Sequence, residues 1–175
     1  MASPSRVEYR IIKDRLPTAL FNEAFEGTRE TLLRDKPEVD IAILKNRTYA
    51  SFCKALREGV VACTYFDNYP CALFSGYVNE ENYLHIKLGL VVKRNGSYSY
   101  LFDEDYFIGG EEEAQTFCLE RGLKGLISEV DKPSAVYDNK YWISEQPFAK
   151  HTLEEEYVGT LTTGKDLVLL KATYV

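Results

Sequence analysis

The chain has 175 residues, 45% of them hydrophobic and 27% charged. That is one domain's length with enough apolar residues for a real core, which excludes a disordered chain. The formal net charge is -6, and no run of Lys or Arg marks a basic stripe, which argues against broad binding to nucleic acid or an anionic membrane surface.

Val7–Lys13 reads as a first strand. Asp14-Arg15-Leu16-Pro17 resembles a helix entry, with proline tolerated in the first turn. Phe21, Ala24, Phe25, Thr28 and Leu32 then share one helical face, and the helix should end near Asp35-Lys36-Pro37. Tyr49, Phe52, Cys53 and Leu56 carry a second helix with the same spacing, closed at Gly59. Three strands follow, Val60–Phe66, Cys71–Val78 and Tyr83–Val92. They are joined by the short polar turns Asp67-Asn68-Tyr69-Pro70 and Asn79-Glu80-Glu81-Asn82, so two antiparallel hairpins are expected. In the third strand Leu84, Ile86, Leu88, Leu90 and Val92 should share one face, with His85, Lys87 and Gly89 on the other.

Arg94-Asn95-Gly96-Ser97 is a turn signal. Tyr98–Phe107 is dense in aromatics and acids. A helix is expected from about Glu111 to Arg121, stopped by Gly122, then a strand over Leu123–Val130. Asp131-Lys132-Pro133-Ser134 starts a short helix through Tyr141-Trp142. Tyr157–Thr162 and Leu167–Tyr174 form a last hairpin across Thr163-Gly164-Lys165-Asp166. There is no internal repeat or low-complexity tract, so residues 1–175 read as a single domain.

Tyr83–Val130 is the most informative stretch. A helix N-terminus between two strands is a ready anion site, because its backbone N–H groups are free and the macrodipole favours negative charge. With the helix placed at Glu111, the acids Glu111, Glu112 and Glu113 fill its first turn and would repel a phosphate.

Cys53, Cys63, Cys71 and Cys118 show no CxxC spacing, and with only His85 and His151 to add, no zinc cluster is expected. They read as free thiols in apolar segments, which suits a reducing cytoplasm. Met1–Arg6 is not followed by a signal-like apolar region, and no segment reaches the roughly 20 apolar residues that span a bilayer.

The order strand, helix, helix, three antiparallel strands, helix, strand, short helix, two strands resembles the GNAT fold of the Gcn5-related N-acetyltransferase superfamily. The resemblance runs from Val7 to Tyr174. It includes the Gly-terminated helix Phe117-Cys118-Leu119-Glu120-Arg121-Gly122 leading into a strand. It also includes Glu154-Glu155-Glu156-Tyr157-Val158-Gly159 at the entry to the last hairpin. It implies an α/β (α+β) fold, with a central mixed, mostly antiparallel sheet of about seven strands and about four helices. Catalytic members of the family carry a Gln/Arg-x-x-Gly-x-Gly/Ala loop that holds the acetyl-CoA pyrophosphate. Here Ser97 stands where the first glycine after Arg94 should be, and Tyr106, not Arg or Gln, precedes Gly109-Gly110. The family's Asn-x-x-Ala-x-x-x-Tyr helix, whose Tyr protonates the departing thiolate, is echoed by Ser134–Tyr141. Glu129, Asp131 and His85 are the base candidates.

Two readings follow from this resemblance. The first is a non-catalytic interaction protein without a cofactor, resembling GNAT-like proteins encoded by tailed bacteriophages and carried in or near the virion. Its protein partner, such as a phage structural protein, would meet Tyr98, Tyr100, Phe102, Tyr106 and Phe107, since tyrosine and phenylalanine supply contact area at low entropy cost. The alternative is a divergent N-acyltransferase that uses acetyl-CoA.

Overall fold

The computed structural model describes residues 6–35 and 38–174. In chain order its elements are β1 (Val7–Ile11), α1 (Thr18–Asp35), α2 (Ile41–Glu58), β2 (Val60–Phe66), β3 (Tyr69–Val78) and β4 (Tyr83–Val91). A short 3-10 turn at Ser99–Phe102 leads into α3 (Glu104–Glu120), followed by β5 (Gly125–Lys132), α4 (Ala135–Ser144), β6 (His151–Thr160) and β7 (Asp166–Tyr174). The expected end of the first helix falls partly on residues 36–37, outside the described residues.

The seven strands form one mixed sheet in the order β1-β2-β3-β4-β5-β7-β6. Only β4 and β5 pair in parallel, because a helix intervenes between them; the other neighbours are antiparallel. Asp67 and Asn68 hold φ of 52° and 66°, the left-handed pair that a two-residue hairpin turn needs and that short polar side chains tolerate. Asn95 and Gly96 repeat this at φ 52° and 72°, closing the Arg94–Ser97 bridge.

Both faces of the sheet are covered. Helices α1 and α2 pack on β2, β3 and β4, while α3 and α4 pack on the opposite face over β1, β5, β6 and β7. The α1/α2 side is an aromatic core around Phe21, Phe25 and Phe52. Asp40 caps α2 by accepting the Ala42 and Ile43 amides. On the other side Leu84, Ala114, Phe117, Cys118 and Leu123 form the core beneath α3. The end of α3 is a Schellman motif: Leu123 N–H donates to Cys118 C=O at 2.8 Å and Gly122 N–H to Leu119 C=O at 3.2 Å, with Gly122 at φ 66°.

Two sequence expectations are corrected here, and both bear on the site. First, α3 starts at Glu104 rather than Glu111, with the Asp103 side chain accepting the Asp105 N–H as its cap. Gly109-Gly110 therefore lie inside the helix, and Glu111–Glu113 are not its first turn. Two glycines in a row cost helix propensity of about 1 kcal/mol each. The packing of Tyr106 against Phe66 and Tyr100 offsets this. Second, the five apolar residues of β4 do not share a face. Ser75 pairs with Leu88 but Gly76 with Ile86, so Lys87 is the extra residue of a β-bulge. Leu84 and Ile86 pack under α3, whereas Leu88, Leu90 and Val92 pack under α1 and α2. Gly89 is thereby turned to the α3/α4 side, opposite Phe74.

β6 also starts earlier than expected, at His151. His151, Leu153 and Glu155 face α4, and Glu155 accepts hydrogen bonds from Lys132, Tyr137 and Tyr141. Among the described residues no helix is long and apolar enough to cross a membrane. Cys63, Cys71 and Cys118 are buried free thiols and Cys53 is partly buried; burial pushes the Cys118 thiol up to about 12.

The aromatic segment before α3 is tied to the core through Tyr100, which is 6% exposed. Its hydroxyl lies 2.6 Å from the Val92 carbonyl and 2.8 Å from that of Cys71, which anchors the segment to the ends of β3 and β4. Tyr100→Phe is expected to lower stability by about 1 kcal/mol, read as a lower urea midpoint at unchanged slope.

Candidate active site

The parallel contact between β4 and β5 is short. It runs from the Tyr83–Gly125 pair to the Ile86–Ser128 pair and stops there. Beyond that point β4 continues along β3 and β5 continues along β7. The two strands part at their carboxyl ends, and the Lys87 bulge sits where they separate. A crevice outside the carboxyl ends of parallel strands is the place where open α/β sheets bind ligands. Gly125 sets the near end of this contact, since a Cβ there would overlap the Ala172 carbonyl of β7.

On the α1/α2 side of the split lie His85, Lys87 and Glu129. Nε2 of His85 is 3.5 Å from Oε1 of Glu129, and Nζ of Lys87 is 4.0 Å from the same oxygen. The His85 side chain is 18% exposed, and its buried Nε2 has no aligned hydrogen bond. Burial, and then the Lys87 ammonium, push the imidazole below the usual histidine range against the opposing pull of Glu129. At neutral pH the imidazole is therefore uncharged and able to accept a proton. The structure thus brings together two of the three base candidates. Asp131 lies two residues further along β5, opposite Leu167.

On the α3/α4 side the same split opens into a cavity of about 360 Å³, within the size range of small-molecule sites. Val91 of β4 and Ser128 of β5 line it at the split, Phe107 and Gly110 on α3, and Val136, Asn139 and Lys140 on α4. Apart from the adjoining residues and, for Gly110, its own helical turns, no atom lies within 4 Å of where a Cβ would stand on Gly89 or Gly110. A bare glycine in the middle of a sheet marks a place where a ligand can approach the backbone. The deep end holds Glu111, Lys140, His151 and Tyr174. The His151 side chain is 3% exposed, with Nδ1 2.9 Å from Oε1 of Glu111 but not aligned to bond it. Glu113 also turns to the protein, 3.4 Å from the Tyr9 N–H.

Sequence reasoning named none of the four deep residues as a site. A signal was present: Lys140 falls on the stripe of α4 that also carries Val136 and Ile143, where an apolar residue would be expected. Tyr141 is not brought to the cavity. Its hydroxyl donates to Oε1 of Glu155 at 3.0 Å, and its ring packs beside Tyr137 and Val130.

Of the five aromatic residues expected to meet a partner, the four whose side chains are described are buried or partly buried. Tyr98 donates to the Gly27 carbonyl under the Lys93 ammonium. Tyr100 is buried, and Tyr106 touches Phe66, Tyr100 and Phe107 edge-on. Phe107 lines the cavity. The Phe102 side chain lies outside the described residues.

Neither a protein-family model nor a curated protein matches the chain. Solved structures do match it. One is an acetyl transferase of Salmonella typhimurium that modifies the N-terminal serine of ribosomal protein L7/L12, at 10% identity and TM-score 0.63, covering 98% of this chain and 96% of that one. A second is RimL, the L7/L12 α-N-protein acetyltransferase in complex with coenzyme A, at 12% identity and TM-score 0.61, covering 98% and 96%. A third is YncA of Salmonella typhimurium with its cofactor acetyl-CoA, at 9% identity and TM-score 0.56, covering 96% and 94%. At these identities the likeness is one of fold: the chain has the GNAT fold.

The expectation of no cofactor is corrected on two grounds. The glutamates on which it rested do not stand at the helix start, and two of these structures hold coenzyme A or acetyl-CoA. These three structures are acetyltransferases, and nothing in them bears on a phage.

Proposed function

We propose that this protein is an N-acyltransferase that takes its acyl group from acetyl-CoA or a related thioester. The observation that carries the reading is the β4–β5 split, with His85 beside Glu129 on one side and a cavity lined by Gly110 of α3 on the other.

The residues present fit part of the donor. The cavity walls and the bare backbone at Gly89 and Gly110 suit the narrow, largely apolar arm that carries the thioester. The start of α3 does not suit a diphosphate, because Asp103, Glu104 and Asp105 stand there. Arg94, which precedes α3, stacks on Phe66, Tyr69 and Tyr100 and forms no ion pair among the described residues, is a cation that could meet a phosphate.

When bound, the donor supplies an acyl carbon attached to sulfur. His85 accepts the proton that the attacking amine loses, at the ring nitrogen turned away from Glu129, as the amine nitrogen bonds to that carbon and the C–S bond breaks to release the thiolate. Glu129, 3.5 Å away, stabilises the imidazolium that results. The bulge at Lys87 leaves backbone out of the β3 ladder at the point where the strands part. An unpaired N–H there can polarise the acyl oxygen.

Gly110→Leu tests the location. Leucine would fill the cavity from the α3 side while improving helix propensity by roughly 0.5–1 kcal/mol. Calorimetry is expected to show acetyl-CoA affinity falling at least about tenfold, about 1.4 kcal/mol, at unchanged or higher stability. Unaltered affinity would place the donor elsewhere.

A further inference from the structure

The charged deep end of the α3/α4 cavity is not explained by acetyl transfer. An acetyl group held at the split would end near Ser128, whereas the cavity lining also includes Lys140, His151 and Tyr174. Its walls along that path are Ala114, Leu126, Ile143, Leu170 and Ala172. At the end, Glu111 is turned to His151 at 2.9 Å. Lys140 is the only ammonium lining the cavity and is partly buried. It makes no hydrogen bond or ion pair among the described residues, although Lys132, on the neighbouring β5, is bonded to Glu155 at 3.0 Å. A partly buried ammonium with no hydrogen-bonded acceptor is a group that a ligand's acceptor can complete.

We infer that this cavity accepts an acyl group longer than acetyl whose far end is a carboxylate, with Lys140 as the partner of that carboxylate. The inference rests on the acyltransferase reading and names its donor class: the thioester of a short dicarboxylic acid. The apolar walls hold the methylene carbons, and the carboxylate meets the ammonium at the floor. Burial lowers the Lys140 pKa and Glu111 raises it; a bound carboxylate would act in the same direction as Glu111. The reaction itself is unchanged, since the carboxylate takes no part in the bond made or broken.

The test is calorimetric binding of acetyl-CoA, butyryl-CoA and succinyl-CoA to the full chain, with free succinate as a separate arm. Butyryl has the length of succinyl without its charge. Succinyl-CoA is expected to bind at least tenfold more tightly than butyryl-CoA, and Lys140→Gln is expected to erase that margin. Lys140→Arg, which keeps the charge, is expected to retain part of it. Equal affinity for succinyl-CoA and butyryl-CoA would overturn the inference while leaving the acyltransferase reading in place. Binding of free succinate without a succinyl-CoA preference would also overturn it, by assigning the carboxylate to a free acid. Failure of all three thioesters to bind would remove the acyltransferase reading and this inference with it. The wild-type comparison stands alone should a Lys140 variant not fold.

Discussion

His85→Gln is expected to lower the rate of acyl transfer by about 10² to 10⁴-fold, the usual contribution of a positioned general base, with little change in thioester affinity. Glutamine keeps the size and a hydrogen-bonding end but cannot take a proton near neutral pH. The pH profile carries the more specific expectation. The imidazole is held below the usual histidine range by burial and by Lys87. The wild-type rate should therefore rise with pH through a midpoint under 6.5 and level off at neutral pH. His85→Gln should lose that limb. Lys87→Met removes the neighbouring positive charge, so it should move the midpoint upward. Steady-state rates by thiol release between pH 5 and pH 8, with an amine acceptor in excess, check all three. The same shift has a stability consequence. The folded pKa lies below the unfolded one, so the unfolded chain binds more protons between them and stability rises with pH through that window. The contribution is lost as pH falls below the unfolded histidine value.

Phe52→Ala is expected to give the largest loss of stability among these predictions, about 3–5 kcal/mol. Phe52 is 0% exposed and meets the Phe21 ring at 6.1 Å. It belongs to the cluster that includes Leu73 and Leu90 of the sheet. Its removal leaves a cavity between α2, α1 and the strands. Leu90 lies on β4 beyond the bulge, so the same substitution should loosen the strand that carries the split. Urea unfolding checks the magnitude, and a rise in thioester Kd in the residual folded population would show the coupling. A loss below about 1 kcal/mol would contradict the packing described here.

Much of the fold was legible in the sequence because its hairpins and first two helices are locally encoded. Asp67-Asn68 and Asn95-Gly96 are turn residues of the right stereochemistry. Phe21, Phe25 and Phe52 sit at helical spacing and become the core. What was not legible depends on tertiary context. The alternation of Leu84 to Val92 is unbroken in sequence, yet both sheet faces are buried, so apolar residues are acceptable on either side and the pattern does not reveal the bulge. The start of α3 was hidden by Gly109-Gly110, which read as a loop until Tyr106 and Phe107 were seen packing from a helical turn. Residues His151–Glu156 read as a polar approach to the last hairpin, whereas they are the start of β6, with Glu155 receiving three donors.

The site divides in the same way. His85 and Glu129 were each visible as candidates on their own strands. Their meeting depends on the parallel register of β4 with β5, which pairs residues 42 positions apart in sequence and leaves no local mark. Glu111, Lys140, His151 and Tyr174 come from four different elements. Only Lys140 carried a local signal, as a charge on an apolar stripe. The acidic reading of Glu111–Glu113 was a correct observation of composition set on the wrong helix boundary. With α3 extended to Glu104, Glu111 faces the cavity and Glu113 faces the Tyr9 backbone.

The most direct test of the account is a crystal structure of the full chain grown with acetyl-CoA. The pantetheine arm is expected in the cavity between α3 and α4, alongside Gly89 and Gly110. The thioester is expected at the β4–β5 split, within reach of an amine hydrogen-bonded to His85. Density for the donor on another surface, or a split closed by its own side chains with no donor at millimolar concentration, would contradict the account.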